Sequence, residues 1–516
     1  MRTRTCRTAS VLVAVGVLAA ACGSNSSAGT TVTSTKAARP AGSWPYPNGD
    51  IANTRDAAGS AISSANVAKL AQAWSFHLPS SAVRKGPTFG SMSAGPIVVN
   101  GVVYIQDLDD NVYALSLATG KLKWEYPVNA SANGGPDGVA VTGGRVYGTT
   151  PTAAFALNAE TGKAIWVTGH LLAQGQGTFD IQPQVAGGRV YLASAYGLST
   201  TGGVLFALNA ATGHPLWHFD TIMGADQGVQ GARVGSGGAW EPPLVGTDGS
   251  VTFGVGNPYQ SAASAIAHPA PQLYTDSEVN LDAATGKLRW YYQAIPNDFM
   301  DHDIQTSPIA VTVNGTPVII GSGKMGVVYE MNAATGKLVW KTPVGEHSQS
   351  DTWPKLALEH KLTLKAPYRI LPGSLGGVLS NPAVAGGTVY VATDNLAFTL
   401  AKMSYPLGAP DGIGTGQVEA LSLATGKVEW NVKVPAMPLG ATTVSNDLVF
   451  TTLYDGYLMA FNRNTGAVVY RRHLPAATNS PIAVAGNTVL VPAGGPNAYG
   501  ATGGTPQIIA YTVPKG

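Results

Sequence analysis

The stretch YALSLATGKLKW, Tyr113–Trp124, contains alternating apolar residues, a polar turn at Thr119 and Gly120, and a second short segment that ends in tryptophan. Alternation with a period of two around a glycine-containing turn is typical of a β-hairpin. Glycine takes the positive φ that such a turn needs, and an indole ring offers a large flat packing surface. The stretch therefore predicts a hairpin that packs against a neighbouring unit.

The same pattern returns six more times. The later copies are FALNAETGKAIW ending at Trp166, FALNAATGHPLW at Trp217, VNLDAATGKLRW at Trp290, YEMNAATGKLVW at Trp340, EALSLATGKVEW at Trp430 and the degraded MAFNRNTGAVVY at Tyr470. Their turn glycines are separated by 42, 51, 73, 50, 90 and 40 residues, so the units share a core and differ in their insertions. Repeats of strands with this spacing indicate the blades of a β-propeller.

The two ends of the chain predict how the ring closes. The segments PIAVAGNTVLVPAGG and PQIIAYTV near the C-terminus predict three strands with no tryptophan strand after them. Near the N-terminus, VAKLAQAWSFHL contains Trp74 but has no Thr-Gly turn before it, so it would complete the last blade as its outer strand. The expected fold is therefore an all-β, eight-bladed β-propeller over residues 44–516, closed by an N-terminal strand. Its core would be the tryptophan girdle and the inner apolar strands.

Composition agrees with a large β-rich globular protein. The 516 residues are 45% hydrophobic and 12% charged, with 64 glycines and 34 prolines. The formal net charge of +2 becomes −1 when the three arginines of the first 21 residues are removed, which leaves no electrostatic basis for binding nucleic acid. Cys6 and Cys22 are the only cysteines, so residues 44–516 contain no disulfide, thiolate nucleophile or cysteine metal site.

The first 43 residues predict export and anchoring. Residues 1–21 combine early arginines with the apolar run Val11–Ala21, which is too short to span a bilayer comfortably. This pattern indicates a signal peptide. Three alanines before Cys22 resemble a bacterial lipoprotein cleavage box, although Ala19 stands where leucine is preferred. Cys22 is then the lipidated residue, residues 22–43 are a low-complexity tether, and the protein lies on the outer face of the cell membrane. The alternative makes Cys22 an ordinary residue of a discarded signal peptide.

Polar residues that a catalytic site would use are clustered between residues 240 and 324. They are Trp240 in GGAWEPP, Asn257 in GVGNPYQ, Asp301 and Asp303 in NDFMDHDIQTSP, and Lys324 in GSGKMG. We expect all of them to precede inner strands of adjacent blades, where they would meet at one site. A scaffold alone does not define a function, so any function must come from such a site.

In this cluster, and in the opening WPYPNGDIANTRDAAGSAISSANVAKLAQAW, the chain resembles the pyrroloquinoline quinone (PQQ) dependent alcohol dehydrogenases, which are eight-bladed quinoproteins. The resemblance implies that Trp240 stacks under the quinone ring, that Lys324 hydrogen-bonds the quinone oxygens, and that Asp301 is the catalytic base. It also implies a calcium or lanthanide ion bound by Asn257, Asp301 and Asp303, since Asp303 matches the extra ligand of the family members that use lanthanides.

These residue types suit the oxidation of a small alcohol. The hydroxyl proton must leave as hydride moves to the quinone, and a carboxylate within hydrogen-bond reach can accept that proton. A metal ion polarises the quinone carbonyl, and a hard cation such as calcium takes about six to eight oxygen ligands.

The chain also departs from the family in three respects. The adjacent cysteine pair over the quinone cannot form, and Leu198 and Ser199 stand where a metal-binding glutamate is expected. No Cys-x-x-Cys-His motif is present, so covalent c-type haem is excluded and electrons would pass to a separate acceptor. These losses support a second hypothesis, a non-catalytic propeller that binds a protein or small ligand as a scaffold or sensor.

Each candidate residue has a structural alternative. Asp301 and Asp303 would cap a loop, Trp240 would be one more packing residue, and Asn257 beside a proline would be ordinary turn chemistry. GSGKMG matches a dinucleotide-binding fingerprint, but the strand-like VVYEMN follows where that motif needs a helix. His214 and His218 have a zinc-site spacing but lie within the hairpin repeat, which favours a structural role. The sequence predicts no role for His302.

Overall fold

The computed structural model describes residues 32–33, 42–79, 90–130, 135–196, 202–222, 235–404, 408–495 and 504–514. The predicted signal peptide, Cys22 and most of the tether lie outside these residues. The described part is mostly β structure, with two short α-helices, α1 (Ala262–Ala267) and α2 (Trp353–Leu358). Short 3-10 turns lie at Val67–Lys69 and Gln349–Thr352. Neither α-helix has the length and apolar character that a membrane crossing needs.

Eight sheets of four antiparallel strands account for most of the described residues, and in each the first strand pairs with the second, the second with the third and the third with the fourth. Sheet 1 contains Ile97–Val99, Val102–Gln106, Val112–Ser116 and Leu122–Tyr126; sheet 2 contains Ala140–Thr142, Arg145–Thr150, Ala153–Asn158 and Ala164–Gly169. Sheet 3 contains Gln184–Ala186, Arg189–Ala195, Val204–Asn209 and Pro215–Asp220; sheet 4 contains Leu244–Val245, Ser250–Val255, Ser277–Asp282 and Leu288–Gln293. Sheet 5 contains Ile309–Val313, Thr316–Gly323, Val327–Asn332 and Leu338–Pro343; sheet 6 contains Ala383–Ala385, Thr388–Asn395, Thr415–Ser422 and Val428–Val434. Sheet 7 contains Thr443–Ser445, Leu448–Leu453, Tyr457–Asn462 and Val468–His473; sheet 8 contains Ala483–Ala485, Thr488–Ala493, Gln507–Thr512 and Ala71–His77.

The remaining strands are short additions to this set. Thr178–Phe179 pairs with the second strand of sheet 3, and Val32–Thr33 pairs with the first strand of sheet 5. A separate three-stranded sheet is formed by Tyr368–Ile370, Phe398–Leu400 and Ala409–Pro410. This small sheet and the two helices lie in the longest insertions, and their buried side chains pack in one cluster with Phe299 and Met300, next to the aspartate loop.

Each repeated hairpin presents its turn glycine to the tryptophan of the preceding sheet. In sheet 4, Gly286 has a φ of 71°, and a Cβ there would lie 2.7 Å from the Trp217 ring. The Nε1 of Trp217 donates a hydrogen bond to Ala283 O in the same turn, at 3.1 Å. Glycine is therefore required for two reasons. The position needs a positive φ, and the neighbouring ring leaves no room for a side chain. The same arrangement joins Trp124 to Gly162, Trp166 to Gly213, Trp290 to Gly336, Trp340 to Gly426 and Trp430 to Gly466.

The last sheet contains strands from both ends of the chain. Ala71–His77 pairs antiparallel with Gln507–Thr512, as the unpartnered Trp74 strand predicts. Trp74 packs on Gly120 of sheet 1 and donates to Leu117 O at 2.8 Å, which repeats the joint between the other sheets. Sheets 7 and 8 meet without a tryptophan; there, the Arg472 guanidinium lies 4.9 Å from the ring centroid of Tyr511.

The N-terminal segment Trp44–Ala57 runs across the first strands of several sheets. Trp44 pairs with Val98 of sheet 1, and Ala52 O accepts a hydrogen bond from Ala310 N of sheet 5. The fully buried Arg55 donates to Thr442 O and Thr443 Oγ1 at sheet 7 and to Ile482 O before sheet 8, each at 2.8 Å. The segment Trp44–Ala57 therefore connects the first strands of sheets that are far apart in the chain.

Candidate active site

A cavity of about 380 Å³ lies where the loops of the eight sheets converge. Residues from segments beside every sheet line it, from Ser93 before sheet 1 to Pro481 before sheet 8. Three of the residues expected at the site, Trp240, Asp301 and Lys324, are in its walls.

The placement of these residues corrects one expectation. Trp240 and the aspartate loop do precede the first strands of sheets 4 and 5. Asn257 and Lys324, by contrast, follow the second strands of those sheets, Ser250–Val255 and Thr316–Gly323. The expectation that all five residues precede inner strands is therefore wrong for Asn257 and Lys324. These two residues still lie near the others because antiparallel neighbours bring the end of one strand beside the start of the next.

Asp301, Asp303 and Lys324 form one buried ionic group. Lys324 Nζ lies 3.2 Å from Asp301 Oδ2 and 2.5 Å from Asp303 Oδ2. Burial, opposed by Lys324 and reinforced by the Asp303 carboxylate, raises the pKa of Asp301 to about 8. Burial disfavours the charged form of Lys324, but the two carboxylates raise its pKa above the ordinary value, so it remains an ammonium ion.

Asp303 is held by the segment that contains Asn257. Asn257 N donates to Asp303 Oδ1 at 2.6 Å. A Cβ on the preceding Gly256 would lie 2.3 Å from that oxygen, so glycine is required for this approach. The Asn257 side-chain Nδ2 donates to Pro258 O at 3.1 Å, which is the turn contact considered from the sequence.

The loop-capping role belongs to Asp298. Its carboxylate accepts hydrogen bonds from Met300 N at 3.0 Å and from His302 N at 2.9 Å. His302 lies on the far side of the loop, where its Nε2 is 3.1 Å from Pro372 O, and it lines a second cavity of about 290 Å³. Asp301 has a φ of 66°, a left-handed conformation that aspartate tolerates better than most residues. The capped loop thus turns Asp301 and Asp303 towards Lys324.

Trp240 differs from the seven tryptophans of the sheet joints. Each of those donates its indole N–H to a backbone carbonyl, whereas Trp240 Nε1 is buried without a hydrogen-bond partner among the described residues. The Tyr196 ring meets Trp240 edge to face, with centroids 4.6 Å apart and planes at 86°. An indole ring that no backbone carbonyl anchors is therefore part of the cavity wall.

Several polar residues at the site were missed from the sequence. Glu241 and Tyr259 line the cavity, and Asp276 is fully buried behind it, with both carboxylate oxygens lacking partners in the described part of the chain. Burial, followed by repulsion from Asp298, Asp303 and Asp301, raises the pKa of Asp276 well above its ordinary value. Glu241 directly follows Trp240, and that adjacency was the only signal in the sequence.

A metal-binding cluster of three or more His, Cys, Asp or Glu residues is absent from the described residues. Asp301 and Asp303 converge instead on the Lys324 ammonium. Leu198 and Ser199, which stand where the glutamate ligand is expected, lie outside the described residues.

The chain matches two family models. The model described as the glucose/ethanol/alcohol dehydrogenase β-propeller domain (PQQ) matches residues 44–143 and 178–354, more than half of the chain. The model of the outer membrane protein assembly factor BamB matches residues 353–505.

Individual proteins point the same way. The quinohemoprotein alcohol dehydrogenase of Comamonas testosteroni is 27% identical, over 87% of this chain and 71% of its own. The quinoprotein ethanol dehydrogenase of Pseudomonas putida is 24% identical, over 81% of this chain and 80% of its own. A solved europium-containing methanol dehydrogenase shares the fold, with a TM-score of 0.76 and 20% identity over 92% of this chain and 98% of that one. The chain therefore belongs to the PQQ family of glucose, ethanol and alcohol dehydrogenase β-propellers.

Proposed function

We propose that this protein is an exported PQQ-dependent dehydrogenase that oxidises a small alcohol and passes the electrons to a separate acceptor. The observation that carries the proposal is the single cavity in which an indole wall, a carboxyl group with a raised pKa and a buried ammonium meet. We further propose that the eight sheets are the blades of one closed propeller with this cavity at its centre. The tryptophan joints and the pairing of the two chain ends in sheet 8 support that arrangement.

The cavity suits a flat, polar cofactor. Trp240 supplies an aromatic wall, and Lys324 supplies a cationic donor on the same cavity. Trp240 would hold the face of the PQQ ring system, and Lys324 would hydrogen-bond its oxygens. Bound there, the quinone would supply the two-electron acceptor for hydride from the alcohol carbon.

Asp301 is the proposed base. It lines the cavity, and its carboxylate would accept the alcohol hydroxyl proton as the carbon–hydrogen bond breaks. A raised pKa makes it a stronger base once ionised, and the adjacent Lys324 ammonium favours the ionised form. Leu375, Leu379 and Leu439 in the same walls would exclude water from the reacting groups.

Asp301, Asp303 and Asn257 are the proposed ligands of a calcium or lanthanide ion. Two carboxylates already converge on a cation, the Lys324 ammonium, so their placement fits the charge of a hard metal ion. The ion would polarise the quinone carbonyl. It would also compete with Lys324 for the two aspartates.

The proposed location is the outer face of the cell membrane, with the lipid anchor on Cys22. Acylated Cys22 would keep the propeller at the membrane through residues 22–43, near membrane-bound electron acceptors. Mass spectrometry of the mature N-terminus tests this directly, since an unacylated first residue would remove the anchor.

Reconstitution tests the catalytic proposal. The purified protein is mixed with PQQ and either calcium or a lanthanide, and an artificial electron acceptor is followed with a panel of alcohols. We expect stoichiometric binding of the quinone and reduction of the acceptor that depends on the alcohol. Absence of quinone binding with every metal would reject the enzyme.

A second candidate function rests on the match of residues 353–505 to the BamB model. On this hypothesis the propeller binds a protein or small ligand as a scaffold without catalysis. It predicts that cells producing the Asp301→Ala variant have the same phenotype as cells producing the wild-type protein. It also predicts that crosslinking recovers a bound partner. Loss of the phenotype in that variant would favour the dehydrogenase.

A further inference from the structure

Glu241 lines the cavity but has no part in the proton transfer proposed for Asp301. The residue is half-buried, and the cavity lies against it. Its Oε2 accepts a hydrogen bond from Asn381 Nδ2 at 2.8 Å. The side chain is therefore fixed on one side and open to the cavity on the other.

A buried polar network sets the direction of that hydrogen bond. Asn381 Oδ1 accepts from Ser307 N at 2.7 Å, so its Nδ2 must be the group that faces Glu241. The same Nδ2 is 3.1 Å from Asn48 Oδ1, which also accepts from Arg55 Nη1 at 3.0 Å. Because the donors on this side are fixed, Glu241 Oε2 is held as an acceptor.

Charge in the cavity disfavours an ionised Glu241 beside an anionic ligand. Lys324 is the one cationic side chain in the described walls, and it is already shared by Asp301 and Asp303. Arg55 attracts Glu241 electrostatically, but its N–H groups already donate hydrogen bonds to Asn48, at sheet 7 and to the segment before sheet 8. PQQ is a tricarboxylate, so an ionised Glu241 would repel it.

Building on the proposed function, we propose that Glu241 binds the quinone cofactor in its protonated form, donating a hydrogen bond to a cofactor oxygen, so that cofactor binding takes up a proton. Burial raises the pKa of Glu241 to about 7, while Asn381 and Arg55 lower it. The other titratable groups on the cavity are Asp301, Lys324, Tyr196 and Tyr259. Near neutral pH, protonation of Glu241 therefore requires little free energy. A bound anionic ligand would favour the protonated form further.

The test is PQQ affinity as a function of pH, measured by equilibrium dialysis of the full-length protein with and without calcium. If only the protein with protonated Glu241 binds PQQ, the affinity falls about tenfold for each pH unit above the pKa of Glu241. Glu241→Gln keeps a neutral donor of the same shape. It should therefore remove this part of the slope of PQQ affinity against pH. At about pH 6 the variant should match the wild type, and at about pH 9 it should bind more tightly.

Glu278→Gln is the matched control. Glu278 is a second glutamate whose pKa is raised by burial, to about 8, but it is fully buried and does not line the cavity. Its removal should leave the slope of PQQ affinity unchanged. Calorimetry of PQQ binding in two buffers of different ionisation enthalpy, at about pH 8, should show about one proton fewer taken up by Glu241→Gln than by the wild type.

The outcomes separate this inference from the proposed function. Equal slopes for the wild type and Glu241→Gln would overturn the role of Glu241 while leaving a PQQ protein. Weaker binding by Glu241→Gln at every pH would also overturn it, because it would show that a neutral donor at this position does not hold the cofactor. Binding by none of the variants would reject the PQQ dehydrogenase itself, and this inference with it.

Discussion

Asp298, Asp301 and Asp303 lie within six residues but have separate roles. Asp298 accepts backbone N–H groups and shapes the loop, whereas Asp301 and Asp303 pair with Lys324 at the cavity. Capping and function were alternatives for the same residues in the sequence. The structure assigns capping to the first aspartate, which leaves the other two for the ionic group.

Asp301→Asn should reduce kcat for alcohol oxidation by about 10²–10⁴-fold, because an amide cannot accept the hydroxyl proton. PQQ affinity should change much less, since Trp240 and Lys324 remain. Stopped-flow reduction of the bound quinone, together with dialysis of PQQ, measures the two effects separately. A variant that keeps wild-type turnover would show that another group is the base.

Glu241 shows why part of the site could not be predicted. Its hydrogen-bond partner, Asn381, is 140 residues away, and Asn381 in turn contacts Asn48 at a separation of 333 residues. No local pattern marks residues whose function comes from such distant contacts. Trp240 and Lys324 were predictable only because they belong to a family motif.

The hairpins could be predicted from the sequence because each combines apolar residues with a period of two, a turn glycine and an aromatic residue within about twelve residues. All seven copies form paired strands at those positions. The small sheet that contains Tyr368–Ile370 was not predicted, because its strands are two or three residues long and lie in an irregular insertion. The path of Trp44–Ala57 was also missed, since it depends on contacts with first strands throughout the chain.

Two glycines of sheet 5 test the joint between sheets. Gly336 has a φ of 67°, and a Cβ there would lie 2.4 Å from the Trp290 ring. Gly315 has a φ of 80°, and no atom lies within 4 Å of the position that a Cβ would take, so it shares the strain without the clash. Gly315→Ala should cost about 1–2 kcal/mol of unfolding free energy, and Gly336→Ala about 1–3 kcal/mol more.

Chemical denaturation of both variants measures the difference. Equal losses would mean that the Trp290 ring moves aside freely and that the glycine is needed only for its φ.

The joint between sheets 8 and 1 has the same geometry as the joints between consecutive sheets. Trp74 and Trp217 are each 8% exposed and each pack on a turn glycine. If the ends of the chain are locked together, Trp74→Ala should destabilise the fold as much as Trp217→Ala does, by about 3–5 kcal/mol.

Thermal unfolding of the two variants gives the comparison. A small loss for Trp74→Ala alone, with an early transition confined to the N-terminal strand, would indicate a ring that opens at this joint.

Buried acids give the whole molecule a pH dependence of stability. Burial raises the pKa of Glu278 from an ordinary value of 4.5 to about 8, so the folded protein binds more protons than the unfolded chain between these pH values. Stability therefore falls as pH rises through this window, by up to about 1.4 kcal/mol per pH unit for this residue. Glu278→Gln should flatten the decline, as measured by denaturant unfolding at about pH 6 and about pH 8. An unchanged slope would show that Glu278 does not titrate with folding.

The buried Arg55 has a consequence for the order of assembly during synthesis. Its partners Thr442, Thr443 and Ile482 are 387 to 427 residues further along the chain. A ribosome would make those partners long after Arg55, so the Arg55 hydrogen bonds cannot form until nearly the whole polypeptide is available. If the protein is exported as proposed, such a delay would suit passage through a translocation pore, because folding on the cytoplasmic side would stall it.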